Sequence, residues 1–169
     1  VNKTVNNKSI FLYGLAGAGK NFIGFLLEQH FGFYYWDADE ALTLQMREYI
    51  ASKKIFTEAM RDELTQQIIK KIRQLRQQYP QLVVSQALYK NKNRLMILAA
   101  FPDMKLVEVK ADLNIINKRL QQRSGNVGES YAEQIKSGFE ATDIPHEILI
   151  NNSDKENIEQ QLKLLLARL

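Results

Sequence analysis

The chain has 169 residues, 45 % of them hydrophobic and 25 % charged, with a formal net charge of +4. That is the make-up of one globular domain over residues 1–169 with a single core. It has no cysteine, which excludes disulfides and thiolate metal sites, and no apolar run near the ~20 residues that span a bilayer as a helix. The start, Val1 to Ser9, is polar and lacks the apolar core of a signal peptide, so a cytoplasmic location with no membrane partner is expected.

The first element is a short apolar strand, Ile10 to Tyr13, that breaks into a loop with Gly14, Gly17 and Gly19 and then Lys20. A helix over 20–31 follows, marked by Ile23, Leu26, Leu27 and Phe31. Strand, Gly-rich turn, Lys and helix in that order make a phosphate-binding loop. Glycines let the backbone bring successive N–H groups onto phosphate oxygens. The helix start adds the positive end of its dipole. Gly14, Ala16, Gly17, Ala18, Gly19 and Lys20 are therefore the candidate nucleotide-binding residues, with Lys20 as a mobile cation for the outer phosphates. The motif normally ends in Ser or Thr, whose hydroxyl meets Mg2+. Here it ends in Asn21, whose amide oxygen can still face a hard cation.

A second strand, Phe33 to Trp36, ends at Asp37-Ala38-Asp39. Two carboxylates at that spacing, beside a phosphate site, can serve a metal ion and accept a substrate proton. Either could instead cap the helix expected over 39–51. The third helix, 58–78, carries Arg61 near its start. Its fork-shaped guanidinium can grip a carboxylate or a phosphate, or simply pair with a neighbouring acid. Farther along, Lys70, Lys71, Arg73 and Arg76 alternate with Ile68, Ile69, Ile72 and Leu75. That spacing describes a solvated helix face. No aromatic residues interleave there, so nucleic acid is not expected as a partner.

The third strand is Leu82 to Ser85, entered through Pro80; the fourth is Leu106 to Val109 and the fifth Ile148 to Ile150. Further helices are predicted over 91–100, 112–123, 130–139 and 155–168. Short apolar strands separated by helices imply an α/β fold: a parallel five-stranded sheet between two helical layers. Right-handed crossovers place the ligand at the carboxyl ends of the strands, where the phosphate loop, Asp37 and Ser85 should meet. Arg119 and Arg123 share one helix face and lead into Ser124-Gly125-Asn126-Val127-Gly128. A lid over about 119–131 is expected to carry an arginine onto the nucleotide. His30 and His146 have no metal-ligand spacing.

Taken together, these blocks resemble the small phosphate-loop kinases of the gluconate and shikimate kinase group, with the gluconate kinase branch the closer match. The resemblance runs from about Ser9 to Asn151. It rests on the Gly14–Lys20 loop, Asp37 and Asp39, Ile50-Ala51-Ser52 with Arg61, Ser85-Gln86-Ala87-Leu88-Tyr89-Lys90, and Arg119 to Gly125 followed by Ser137-Gly138-Phe139-Glu140 and Pro145. It implies ATP and Mg2+ as cofactors and a small hydroxyl-bearing acceptor, a sugar acid such as gluconate. Lys20 would hold the outer phosphates. Asn21 and Asp37 would face Mg2+, and Asp39 would bind and deprotonate the hydroxyl, although the two aspartates could exchange these roles. Arg61 would anchor the acceptor, and Arg119 and Arg123 would cover the nucleotide. A homodimer is open as an oligomeric state. The sequence departs from the branch at Asn21, Gln86, Tyr89 and Lys53-Lys54-Ile55-Phe56, mostly in the acceptor half. Two other readings therefore stand beside it. One is a nucleotide-binding relative with little turnover; the other is a kinase for a nucleoside, a nucleotide or a shikimate-like acceptor.

Overall fold

The computed structural model describes residues 7–124, 138–152 and 154–169. Its strands are β1 (Lys8–Tyr13), β2 (Tyr34–Asp37), β3 (Gln81–Ser85), β4 (Lys105–Lys110) and β5 (Glu147–Ile150). The helices are α1 (Lys20–Phe31), α2 (Leu44–Ala51), α3 (Glu58–Gln78), α4 (Asn91–Ala100), α5 (Leu113–Ser124) and α6 (Lys155–Ala167). The strands form one five-stranded sheet in the order β2-β3-β1-β4-β5, parallel throughout.

β1 lies at the centre because it is apolar on both faces. Ile10 and Leu12 point into a cluster with Val83, Val107, Ile23 and Leu27 of α1, and Ile158 and Leu162 of α6. Phe11 and Tyr13 point the other way, onto Leu82, Val84, Ile68 and Ile72 of α3, and Ile97 of α4. The period-two alternation of a strand thus feeds two cores at once. In α3 the residues Met60, Leu64, Ile68, Ile72 and Leu75 form the buried stripe, while Lys70, Lys71 and Arg73 stay in solvent, as the sequence spacing predicts. Arg76 turns aside to pair with Asp103 and lies over the Phe101 ring.

Caps set the helix ends. Gly32 closes α1 in the left-handed region and donates its N–H to Leu27, a glycine-dependent stop. Thr57 accepts from the Met60 N–H to open α3. The single helix expected over 39–51 is corrected to two pieces. Asp37 accepts from the Asp39 N–H and opens a short 3-10 turn over Ala38–Ala41; Leu42 is then extended. Thr43 restarts the chain as α2 by accepting from the Met46 N–H. A polar cap in mid-pattern ended one helix and began another, and Thr43 was the available signal. The helix expected over 130–139 falls mostly outside the described residues, but its end is corrected: Gly138 sits in a turn with φ 81° and Phe139 is not helical.

A buried arginine braces the loop that follows β3. Arg94 of α4 is fully buried. Its guanidinium donates to the carbonyls of Leu88, Tyr89 and Glu140 and to Asn91 Oδ1, and it stacks between the Tyr13 and Phe139 rings. Burial lowers its pKa, but a guanidinium keeps its proton in a protein. Replacing it removes the donors and leaves buried carbonyls unpaired. Arg94→Met is expected to cost about 3 kcal/mol in urea unfolding; a loss below about 0.5 kcal/mol would mean that water replaces the guanidinium at no cost.

Candidate functional site

The carboxyl ends of β1, β2 and β3 converge, and the loop after β1 turns there. Gly14 has φ 148° and Gly19 φ 91°, values that side chains rarely allow. Gly14 must also pass close to the Val109 backbone of β4, where a Cβ would collide. Lys20 folds back over the loop and donates to the carbonyls of Gly14 and Leu15 at 2.9 and 3.1 Å. Ala16 and Tyr89 meet across the loop, because the Tyr89 phenol bonds to the Ala16 backbone. Burial pushes that phenol up to about 12, so it remains a neutral brace.

α5 supplies the other side. Arg119 donates to the carbonyls of Gly17 and Ala18 at 3.1 and 3.2 Å, and to the Asn151 carbonyl at 2.8 Å. Asn151, buried just past β5, donates its amide to the Ala18 carbonyl at 2.8 Å. Arg119 was expected on the nucleotide; here it grips the loop that would hold one. Asn151 was missed by sequence reasoning, for a lone Asn after the fifth strand carries no motif. Arg123, one turn beyond Arg119, is exposed. Its charge helps depress the pKa of both Lys20 and Arg119, in each case behind burial as the larger cause. Lys20, Arg119 and Arg123 thus place positive charge around the loop, the setting an anion would favour. Residues 125–131 of the expected lid lie outside the described residues.

The carboxylates face this cluster. Asp37 Oδ1 caps Asp39, and its Oδ2 accepts from Asn21 Nδ2 at 3.2 Å. Asn21 Oδ1 accepts from the Tyr35 hydroxyl at 2.9 Å and from Ser85 Oγ at 3.3 Å. Tyr35 and Ser85 are themselves 2.8 Å apart. So the side chain expected to offer Mg2+ an oxygen instead turns its NH2 toward Asp37. A rotation of the amide by half a turn would exchange the two atoms. Tyr35 was not singled out from the sequence; its phenol reaches the site because Gly24 of α1 leaves room for its ring.

Asp39 lies at the open cleft, yet its carboxyl is held above the ordinary value, first by burial of the surrounding cleft and second by the charge of Asp37. Lys20 and a hydrogen bond with Gln86 oppose the rise. Two neighbouring carboxylates suit a divalent cation, which would offset the rise at Asp39. Among the described residues no three metal-ligating side chains converge; a magnesium ion shared with phosphates needs only one or two carboxylates. Beyond Asp39 opens a pocket of about 370 Å³ that reaches Arg61, Gln86, Tyr89 and Lys90. Arg61 donates to the Phe56 carbonyl at 2.6 Å and forms no ion pair among the described residues. His30 and His146 lie elsewhere, near Glu159 and Glu108.

No protein-family model matches the chain, and neither does any curated protein. Solved structures do. A gluconokinase from Sinorhizobium meliloti superposes with a TM-score of 0.79 at 17 % identity, covering 96 % of this chain and 93 % of that one. A sugar kinase from a Janibacter species gives 0.79 at 14 % identity, with 94 % of each chain covered. An APS kinase from Mycobacterium tuberculosis, in complex with AMPPNP and APS, gives 0.67 at 19 % identity, covering 95 % and 98 %. At these identities the likeness is one of fold: the α/β sheet of the small phosphate-loop kinases, as the motifs predict. No described helix is long and apolar enough to cross a membrane.

The electrostatics of Lys20 can be tested directly. Burial lowers its pKa to about 8, so at pH 9 most of the free protein carries it neutral. A bound phosphate restores the charged form. Nucleotide binding at pH 9 is therefore expected to take up about one proton, and at pH 7 almost none through this group. Calorimetry of ADP binding in buffers of different ionisation enthalpy measures this. Uptake that persists in Lys20→Met would assign the proton to another group.

Proposed function

We propose that the protein is an ATP-dependent phosphotransferase of gluconokinase type that acts on a hydroxyl of a small acid. One observation carries the reading: the Gly14–Lys20 loop with its cations opens, past Asp39, onto a pocket that Arg61 lines. A nucleotide's phosphates fit on one side and an acceptor on the other, with a carboxylate between them.

In this reading Lys20 leaves the Gly14 and Leu15 carbonyls and engages the outer phosphates, with Arg123 adding charge. Arg119 keeps the loop in shape from behind. Mg2+ would supply charge neutralisation at the phosphates, with Asp37 as its protein ligand and Asn21 able to join after its amide turns. Asp39 accepts the proton of the acceptor hydroxyl as that oxygen bonds to the terminal phosphorus. The bond from phosphorus to the bridging oxygen breaks, and ADP leaves with the electron pair. Its raised pKa makes Asp39 a stronger base than an ordinary carboxylate. Arg61 holds the acceptor's anionic end. Positioning and electrostatics do most of this work, as in phosphoryl transfer generally.

A second reading has its own support. Asn21 donates to Asp37, which places an N–H where a metal-bound hydroxyl would otherwise stand. A nucleotide-binding protein with little turnover would result if that bond holds. Asn21→Thr decides between them. An impaired metal site predicts about tenfold faster Mg·ATP use in the variant, whereas a drop would mean that Asn21 belongs to a working site.

The activity itself is measured as ADP release from Mg·ATP with D-gluconate, shikimate or a nucleoside. Stimulation by an acid but not by the nucleoside is expected. Intact ATP binding with no stimulation by any acceptor would favour the second reading. Arg61→Ala is expected to lower kcat/KM for the acceptor about 100-fold while the Kd for ADP stays within about twofold. An equal loss of ADP affinity would remove Arg61 from the acceptor side.

A further inference from the structure

The pocket beyond Asp39 has an unusual lining for a polyol. Leu42, Ile50, Ile55, Phe56, Leu64 and Leu88 form much of its wall, and Leu64 and Leu88 at its floor are buried. Several of the neutral polar groups on the wall already have partners in the protein. Thr65 Oγ1 donates to the Arg61 carbonyl and accepts from Asn93 Nδ2 at 2.9 Å. Asn93 Nδ2 also reaches Asp62. Gln86 Oε1 accepts from the Leu88 N–H at 2.6 Å, and its side chain also bonds with Asp39. The Tyr89 phenol is bonded to Ala16. Lys90 lies 3.7 Å from Glu140.

Among the described residues, what the wall chiefly offers a ligand is charge at the ends and hydrocarbon between. Asp39 stands at the phosphate side. Arg61, with Lys53 and Lys54 at the mouth, offers cations. Lys53 and Leu88, the two non-glycine residues with positive φ among the described residues, both line this pocket, at 56° and 49°. For Lys53 this is the left-handed residue that closes α2, its N–H on the Ile50 carbonyl and that of Lys54 on the Tyr49 carbonyl. A polyhydroxylated chain would bury several hydroxyls against leucine and isoleucine, and each one left without a partner weakens binding by about tenfold.

We propose that the acceptor is a hydroxy acid with an apolar body, its hydroxyl at Asp39 and its anionic group at Arg61 and the two lysines, bound in preference to a polyol acid. The proposal rests on the kinase reading for its reaction, but the binding preference can be measured without turnover.

The experiment titrates the Mg·ADP-loaded protein with 4-(hydroxymethyl)benzoate and with D-gluconate, and then compares both acids as acceptors in ADP release from Mg·ATP. The aryl acid is expected to bind at least about tenfold tighter and to show the higher kcat/KM. Arg61→Gln should cost it about tenfold in affinity. Ile55→Asn adds a donor and an acceptor at an exposed rim position (61 % exposed), so folding is not at risk; it should narrow the preference by about threefold. Tighter or equal binding of gluconate, or no binding of either acid, overturns the proposal. Gluconate turning over better than the aryl acid would leave the kinase reading intact and defeat this one. The expected binding order with no turnover of either acid would support the pocket chemistry and defeat the kinase reading.

Discussion

The loop between Gly14 and Gly19 depends on how its carbonyl oxygens are occupied. Those of Gly14 and Leu15 accept from Lys20, and those of Gly17 and Ala18 from Arg119, with Asn151 sharing Ala18. The donors come from α1, α5 and the turn after β5. With the oxygens held from outside, the loop keeps a tight curve whose remaining N–H groups can meet an anion. The central strand β1, packed on both faces, fixes where that curve begins. The sheet order puts β3 and β4 on either side of β1, so the pocket past Asp39 and α5 flank the same loop.

The charge balance of the site follows from this arrangement. Lys20 and Arg119 lose hydration beside the loop, and Arg123 adds like charge. Asp37 and Asp39 form the opposite group, with Asp39 raised in pKa. Neither group fully neutralises the other, because the cations are turned onto carbonyls and Asp37 is turned onto Asn21 and the backbone of Asp39. A phosphate with a divalent cation is the species that would satisfy both. The Tyr35–Ser85–Asn21 cluster holds the one side chain that departs from the usual motif. That departure is thus built into a hydrogen-bonded network and is not a loose surface substitution.

Much of this was legible along the chain. The bounds of α1, α3 and α4 follow from apolar spacing and flanking Gly, Thr and Pro, which act within a few residues. Four strands run a residue or two longer than their apolar cores, because polar ends such as Lys8 and Lys110 still pair in the ladder, whereas β2 is shifted by one, with Phe33 outside it and Asp37 paired to Ser85. The break between the 3-10 turn and α2 was missed, since Thr43 competes with a helical pattern that continues past it. Within the site, glycine spacing and Lys20 marked the loop, while Tyr35 and Asn151 carried no motif and came in through the sheet.

The sequence alone determined the order of elements, the phosphate loop and the presence of paired carboxylates, because each depends on neighbours in the chain: strand alternation, glycine conformations and caps. Only the tertiary structure decided that Arg119 grips the loop, that Asn21 turns its NH2 to Asp37, and that the pocket past Asp39 has leucine, isoleucine and phenylalanine in its wall. These are matters of which hydrogen-bond partner lies within reach. Reach is set by packing between residues 16 to 133 positions apart, over which local propensity has no say.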